Sequence, residues 1–131
     1  MELMGVAELA KRGFGTMSSG ERRRVLIARA LVHEPEILVL DEPSTALDFA
    51  ASVRLSTTLE KLLNRGTTLV LVTHHPGEIL PGIASVVLLK EGRIFAQGAK
   101  RDLLTSAGLT RLYGVDLRVK WSDGWCDVRP A

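Results

Sequence analysis

The sequence predicts an α/β fold with a parallel core, and three observations predict it. Residues 37–40 are apolar at four consecutive positions, the pattern of a strand buried on both faces. Residues 67–73 form a second continuous β-prone run, bracketed by Gly66 and His74. A stretch of helical periodicity separates the two, and a further β-run at 86–89 follows. Strand–helix–strand alternation of this kind builds a parallel sheet.

The elements follow in order. Residues 1–11 carry Leu3, Val6, Ala7 and Ala10 at helical spacing and predict a short amphipathic helix, broken by Gly13 and Gly15. Ser18 with Glu21 three residues on is a capping-box pattern that starts a second helix over 20–32. Val25, Leu26, Ala28, Ala30 and Leu31 are its expected inward residues, with Arg22, Arg23 and Arg24 crowding the opening turns. Asp48 caps the next helix, which runs to Asn64 with Leu55, Leu59, Leu62 and Leu63 as its buried stripe. Asn64-Arg65-Gly66 stops it. Pro76 and Pro81 bound a turn of helix at most. Lys90-Glu91-Gly92 joins runs 86–89 and 93–96 as a hairpin, 101–113 reads as helix, and Ser122-Asp123-Gly124 joins 117–121 and 125–128 as a second hairpin. Trp121 and Trp125 fit core packing of that hairpin's inner face.

Composition excludes several classes. The 131 residues fit one domain of ordinary size. Seventeen basic against fifteen acidic residues leave a net charge of +2, too small to argue for nucleic acid. The lone Cys126 allows no internal disulfide. No apolar run approaches the ~18 residues of a membrane helix. Residues 1–4 have neither the basic head nor the apolar middle of a signal peptide. The expectation is a soluble intracellular domain.

Candidate chemistry gathers at strand ends, where ligands of open α/β sheets collect. Asp41-Glu42 ends the first strand. An Asp there suits a water of hydrated Mg²⁺, and the following Glu suits polarising an attacking water. A loop-capping Asp beside a solvated Glu fits the same pair. Ser18-Ser19-Gly20 opens a helix, where free N–H groups favour an anion such as phosphate. Plain capping also accounts for it. His74 ends the second strand with His75 beside it. A neutral imidazole there can donate one hydrogen bond and accept another. Metal ligation by histidine and cysteine is disfavoured, because His74 and His75 are adjacent, Cys126 is remote and no third ligand stands at a usable spacing. No G-x-S-x-G elbow supports a serine hydrolase.

Taken together, these segments resemble the nucleotide-binding subunit of ATP-binding cassette (ABC) transporters. Met17-Ser18-Ser19-Gly20-Glu21 is similar to the signature L-S-G-G-Q, with Met for Leu, Ser for the first Gly and Glu for Gln. The following helix resembles Q-R-V-x-x-A-R-A-L. Residues 37–42 match Walker B and its glutamate, Thr45-Ala46-Leu47-Asp48 the D-loop, and Val72-Thr73-His74 the switch histidine, with His75 where the family often has Asp. Lys90-Glu91-Gly92-Arg93-Ile94 is similar to the closing hairpin. The tail resembles importer cassettes of the metal-chelate class.

The resemblance implies a partial P-loop NTPase fold, a mainly parallel sheet flanked by helices with a C-terminal β-hairpin. Residues 1–131 would be one partial domain: 1–33 a remnant of the helical subdomain, 34–98 the Walker B to switch-histidine core, 99–131 a C-terminal helix and hairpin. It implies Glu42 and His74 as catalytic residues, and Asp41 as the Mg²⁺ residue through water. Ser18, Ser19, Gly20 and Glu21 would bind nucleotide in trans, with Thr45, Ala46, Leu47 and Asp48 as D-loop. ATP and Mg²⁺ would come through a complete partner cassette. The implied partners are a second ATPase protomer and a membrane permease subunit, with no nucleic acid, at the cytoplasmic face of the membrane.

One required part is absent. The 131 residues hold no G-x-x-x-x-G-K-[ST] loop. Gly15 and Gly20 have its glycine spacing, but Glu21 stands where Lys is needed. Gly92 to Gly98 is one residue too long. The chain therefore reads as the C-terminal half to two-thirds of a truncated cassette, inactive alone. In the family's sheet the P-loop strand lies beside the one matching 67–73, so an exposed apolar edge and poor solubility are expected. The alternatives are a non-catalytic signature-bearing module that modulates a complete cassette, and a fragment of a non-transport ABC ATPase.

Overall fold

The computed structural model describes residues 5–131. These fall into two compact units that meet in sequence between Thr73 and His74.

The first unit holds α1 (Ser19–Leu31), β1 (Ile37–Asp41), α2 (Phe49–Asn64) and β2 (Thr68–Val72). β1 and β2 pair in parallel, Leu38 opposite Leu69 and Leu40 opposite Leu71, as the α/β reading requires. α2 is the crossover between them. Asp48 caps it by accepting the Ala51 N–H at 2.7 Å, and Gly66 ends it in the left-handed region at φ +93°. Leu55 and Leu59 are buried, whereas Leu62 and Leu63 are only half-buried.

Four expectations change here. Residues 1–11 do not form a helix over their described part: only a 3₁₀ turn, Ala7–Leu9, forms, and residues 1–4, Leu3 among them, lie outside the described residues. So short a segment gains too few hydrogen bonds to offset nucleation. On α1 the buried residue is Ile27, while Leu26 and Ala30 are exposed. β1 alternates rather than burying both faces: Leu38 and Leu40 are buried, but Ile37 and Val39 are 62% and 64% exposed. β2 repeats this, with Val70 and Val72 exposed. The strand pair is thus covered on one face only. The fourth change is in the tail, below.

The second unit holds β3 (Ser85–Lys90) and β4 (Arg93–Ala99), α3 (Lys100–Leu103), α4 (Ser106–Tyr113), β5 (Leu117–Ser122) and β6 (Trp125–Pro130). Both strand pairs are antiparallel hairpins, as expected. Glu91 with Gly92, and Asp123 with Gly124, all have positive φ, the type I′ turn whose twist matches flanking strands. The expected 101–113 helix is two: Thr105 takes the Gly108 N–H at 3.0 Å and acts as a new N-cap, so α4 starts afresh. Leu104, Leu109 and Cys126 form the core, with Trp121 packed against it and Arg101 stacked 4.1 Å over the Trp121 ring. Burial, then the neighbouring Asp127, pushes the Cys126 thiol up, so it stays an inert hydrophobe. Lys100 is buried, and its Nζ donates to the carbonyls of Leu80 at 2.7 Å and Pro81 at 2.8 Å, with Gly124 at 3.5 Å. Among the described residues no helix is long and apolar enough to cross a membrane.

Two outcomes follow. Lys100→Met leaves those carbonyls without their donor and should destabilise the second unit by about 1–3 kcal/mol, read by chemical denaturation; an unchanged midpoint contradicts the tie. The exposed face of Ile37, Val39, Val70 and Val72 should make the isolated chain self-associate in light scattering, and Val39→Lys should reduce this. A monodisperse, cooperatively melting wild-type monomer contradicts it.

Candidate functional site

The signature-like segment starts α1. Ser18 is its N-cap: its Oγ accepts the Glu21 N–H at 3.2 Å, and the Glu21 carboxylate accepts the Ser18 N–H at 2.8 Å. This is a complete capping box. The Ser18 amide, opposed by burial and assisted by the Arg12 guanidinium and the Ser18 hydroxyl, holds the Glu21 carboxyl below its ordinary value of 4.5. Arg12 reaches Glu21 at 2.7 Å. The Ser18 hydroxyl also hydrogen-bonds the Glu21 carboxylate, and Ser18 and Ser19 are both exposed. A helix start with exposed hydroxyls fits an anionic phosphate.

The carboxylate corner is the turn after β1. The Glu42 N–H donates to Val72 O at 2.8 Å, adding one bond beyond the β1–β2 ladder. Glu42 then turns left-handed at φ +44°, and Ala46 does so at φ +66°. Non-glycine residues hold such angles only when their surroundings impose them. Several contacts do so here. The Thr45 O–H donates to Glu42 Oε2 at 3.2 Å and the Thr45 N–H to Glu42 O at 3.1 Å. Pro43 is fully buried. Arg23, from the second turn of α1, donates through one terminal nitrogen to the carbonyls of Asp41 and Glu42, the latter at 2.5 Å, and through Nε to Pro43 O at 3.5 Å. Gly20 presses on the same loop: a Cβ there would lie 2.7 Å from Ala46 O.

In the first unit α1 thus meets the 41–46 turn at two places, Gly20 against Ala46 and Arg23 against the carbonyls of Asp41, Glu42 and Pro43. Asp41 is exposed at the strand end, and one exposed carboxylate suits an ion that keeps most of its waters. Among the described residues no group of three or more His, Cys, Asp or Glu could enclose a metal. Thr73 ends the first unit, and His74 opens the second. There the His74 carbonyl accepts the Tyr113 O–H at 3.2 Å, and its ring lies 3.8 Å from that of His75. An apolar groove of about 350 Å³ lies elsewhere in the first unit, lined by Val6, Leu9, Phe14, Met17, Val25 and Val32 among others; neither Glu42 nor Asp41 lines it.

This order of elements has known counterparts. Residues 1–45 match the ABC transporter family. The uncharacterized ABC transporter ATP-binding protein YlmA of Bacillus subtilis strain 168 is 40% identical over 124 residues, 93% of this chain and 47% of that protein. The chain belongs to the ABC transporter ATP-binding family. The ferric enterobactin transport ATP-binding protein FepC of Escherichia coli K12, 35% identical, is matched over 88% of this chain and 43% of its own length. Among solved structures, an inward-facing transporter described as of the metal-chelate ABC type superposes with a TM-score of 0.78 at 29% identity, over 98% of this chain and 52% of that one. An ATP-binding cassette dimer bound to ADP and Pi superposes with a TM-score of 0.63 at 31% identity, over 75% of this chain and 44% of that one. The fold is thus that of the ABC ATPases, and the chain spans about half the length of the relatives it matches.

Two residues of this ABC chain escaped the sequence. Arg23 looked like one of three crowding arginines, and Gly20 like a residue that admits an anion. Within the chain, the atom that approaches Gly20 is the Ala46 carbonyl. The one available signal was spacing: Gly20 and Arg23 stand three apart on one helix face.

Gly20→Ala should cost about 1–3 kcal/mol by overpacking Ala46, read by denaturation; an unchanged stability contradicts the contact. The depressed Glu21 carboxyl makes the sign of the acid response explicit. Its contribution is present above the ordinary value of 4.5 and is lost only as pH falls through the lower folded value. The Ser18 amide should stay protected from exchange down to pH 4.5 and lose protection below it; loss well above that pH contradicts the capping box.

Proposed function

We propose that the chain carries the signature wall and the water-activating corner of the ATP site of an ABC transporter's ATP-binding subunit, whose hydrolysis drives solute transport. The observation that carries this reading is the joining, in one compact unit, of a capped helix start with exposed serines and a strained turn bearing Glu42. Residues 1–33 stand as a remnant of the helical subdomain, 34–98 as the Walker B to switch-histidine core, and 99–131 as the C-terminal helix and hairpin.

In this reading the N–H groups of Ser19 and Gly20 point at the γ-phosphate of ATP held by a second protomer, with the exposed Ser18 hydroxyl beside them. Glu21 keeps the helix start in shape through the capping box. The Glu42 carboxylate, steadied by the Thr45 O–H, accepts a proton from the attacking water. Asp41 would hold Mg²⁺ through a water, and the ion would neutralise phosphate charge. The His74 ring offers a donor to the γ-phosphate. Thr45, Ala46, Leu47 and Asp48 face the partner protomer as D-loop. A permease subunit binds the assembled pair at the cytoplasmic face of the membrane, and no nucleic acid takes part.

The 131 residues contain no phosphate-cradling loop, so the cradle comes from another polypeptide segment and the chain alone neither holds ATP tightly nor turns it over. The same feature favours a second reading, a signature-bearing module that pairs with a complete cassette and modulates it. Relatives named for ferric enterobactin and for spermidine/putrescine match alike, so what they share is the ATP-driven motor and not its cargo.

The test supplies the missing cradle. The chain, complemented with the part of the Bacillus subtilis relative that it does not span, should hydrolyse ATP only with Mg²⁺. Glu42→Gln should lower kcat by about 10²–10⁴ while ATP binding persists. Turnover unaffected by Glu42→Gln contradicts the reading. Stimulation of a complete cassette by the unaltered chain, lost on Ser18→Arg, supports the second reading instead.

A further inference from the structure

The loop that carries Glu42 is held in an unfavourable shape, and what holds it belongs to another element. Glu42 and Ala46 both have left-handed backbones without being glycine. Left to itself, such a turn relaxes toward commoner angles. Within the loop the Thr45 N–H donates to Glu42 O, the Leu47 N–H to Ser44 O and the Thr45 hydroxyl to the Glu42 carboxylate. Across from it, Arg23 gathers three successive carbonyls, those of Asp41, Glu42 and Pro43. A guanidinium presents a planar fork of donors and can serve several acceptors at once; an ammonium is a point and cannot hold the same spread. Gly20, one turn earlier on the same helix, abuts Ala46 O, so α1 touches the loop at its start and near its end.

We propose that Arg23 is a positioning residue: it fixes the backbone from Asp41 to Pro43, aims the Glu42 carboxylate, and makes that aim depend on where α1 lies. This rests on the reading of Glu42 as the residue that activates water. It adds a link inside one protomer. The helix whose start would press on the partner's ATP is tied through Arg23 to the carboxylate serving the other nucleotide. A displacement of α1 on engaging nucleotide is then felt at Glu42 without any contact between the two ATP molecules.

Two measurements test this, and only one needs turnover. In the full chain, Arg23→Ala should speed amide exchange at Thr45 and Leu47 by about tenfold, with the β1 amides of Leu38 and Leu40 unchanged; Arg23→Lys should fall between. Equal protection at Thr45 and Leu47 in all three proteins overturns the proposal. Uniform acceleration across β1 as well overturns it too, because it marks general loss of fold. In the complemented enzyme, Arg23→Ala should lower kcat about tenfold or more with KM for ATP nearly unchanged, and millimolar guanidinium should restore part of it. A raised KM with kcat unchanged overturns the proposal. If the complemented enzyme with Arg23 intact is silent, the hydrolysis reading falls, while the exchange result still decides whether Arg23 holds the loop.

Discussion

The parallel ladder between β1 and β2 is the constraint on which the first unit depends. Its register sets Asp41 against Val72, and the Glu42 N–H then takes one further bond to Val72 O. That bond fixes where the strand stops and the turn begins. A slip of one residue would exchange the buried Leu38 and Leu40 for Ile37 and Val39 and would move both carboxylates off the strand end. The register is in turn held by α2, whose Leu55 and Leu59 are buried in this unit. Packing that satisfies the hydrophobic effect thereby sets the place of the polar corner.

Above this ladder sits a turn the backbone does not favour, with α1 against it. The capping box makes the helix start rigid, and Arg23 and Gly20 carry that rigidity to the turn. The strain at Glu42 and Ala46 persists because three carbonyls and one close approach leave it no cheaper arrangement nearby. Arg23 and Glu42 are half-buried and Asp41 is exposed, so hydrogen bonds to backbone carbonyls organise this corner.

Much of this was legible in local patterns. Ser18 and Glu21 announced the capping box, Asp48 the start of α2, and the Glu91-Gly92 and Asp123-Gly124 pairs the two hairpins. All depend on residues within four of one another. The parallel pairing was legible because apolar runs separated by a helix have few other solutions. What stayed hidden came from contacts far apart in sequence or from competition between local signals. Four successive apolar residues cannot tell a strand covered on both faces from one covered on a single face, and Ile37 and Val39 proved exposed. Thr105 overrode the helical period of 101–113 by offering a new cap. Arg23 and Ala46 lie far from the atoms they meet, so neither the three-carbonyl tie nor the need for glycine at 20 could be read from neighbours. The motif order was the most legible feature, because it marks the family rather than the packing.

The central claim is that this chain supplies one wall and one corner of a nucleotide pocket, and that the phosphate cradle comes from outside its 131 residues. The most direct measurement is a titration of isotopically labelled chain with MgATP, followed residue by residue by NMR, alone and then with a complete cassette whose own catalytic glutamate is replaced by glutamine. The account predicts no saturable shift for the chain alone. With the partner present, it predicts shifts centred on the Ser18, Ser19 and Gly20 amides. Tight, saturable MgATP binding by the chain alone, or partner-dependent shifts that bypass those amides, would contradict it.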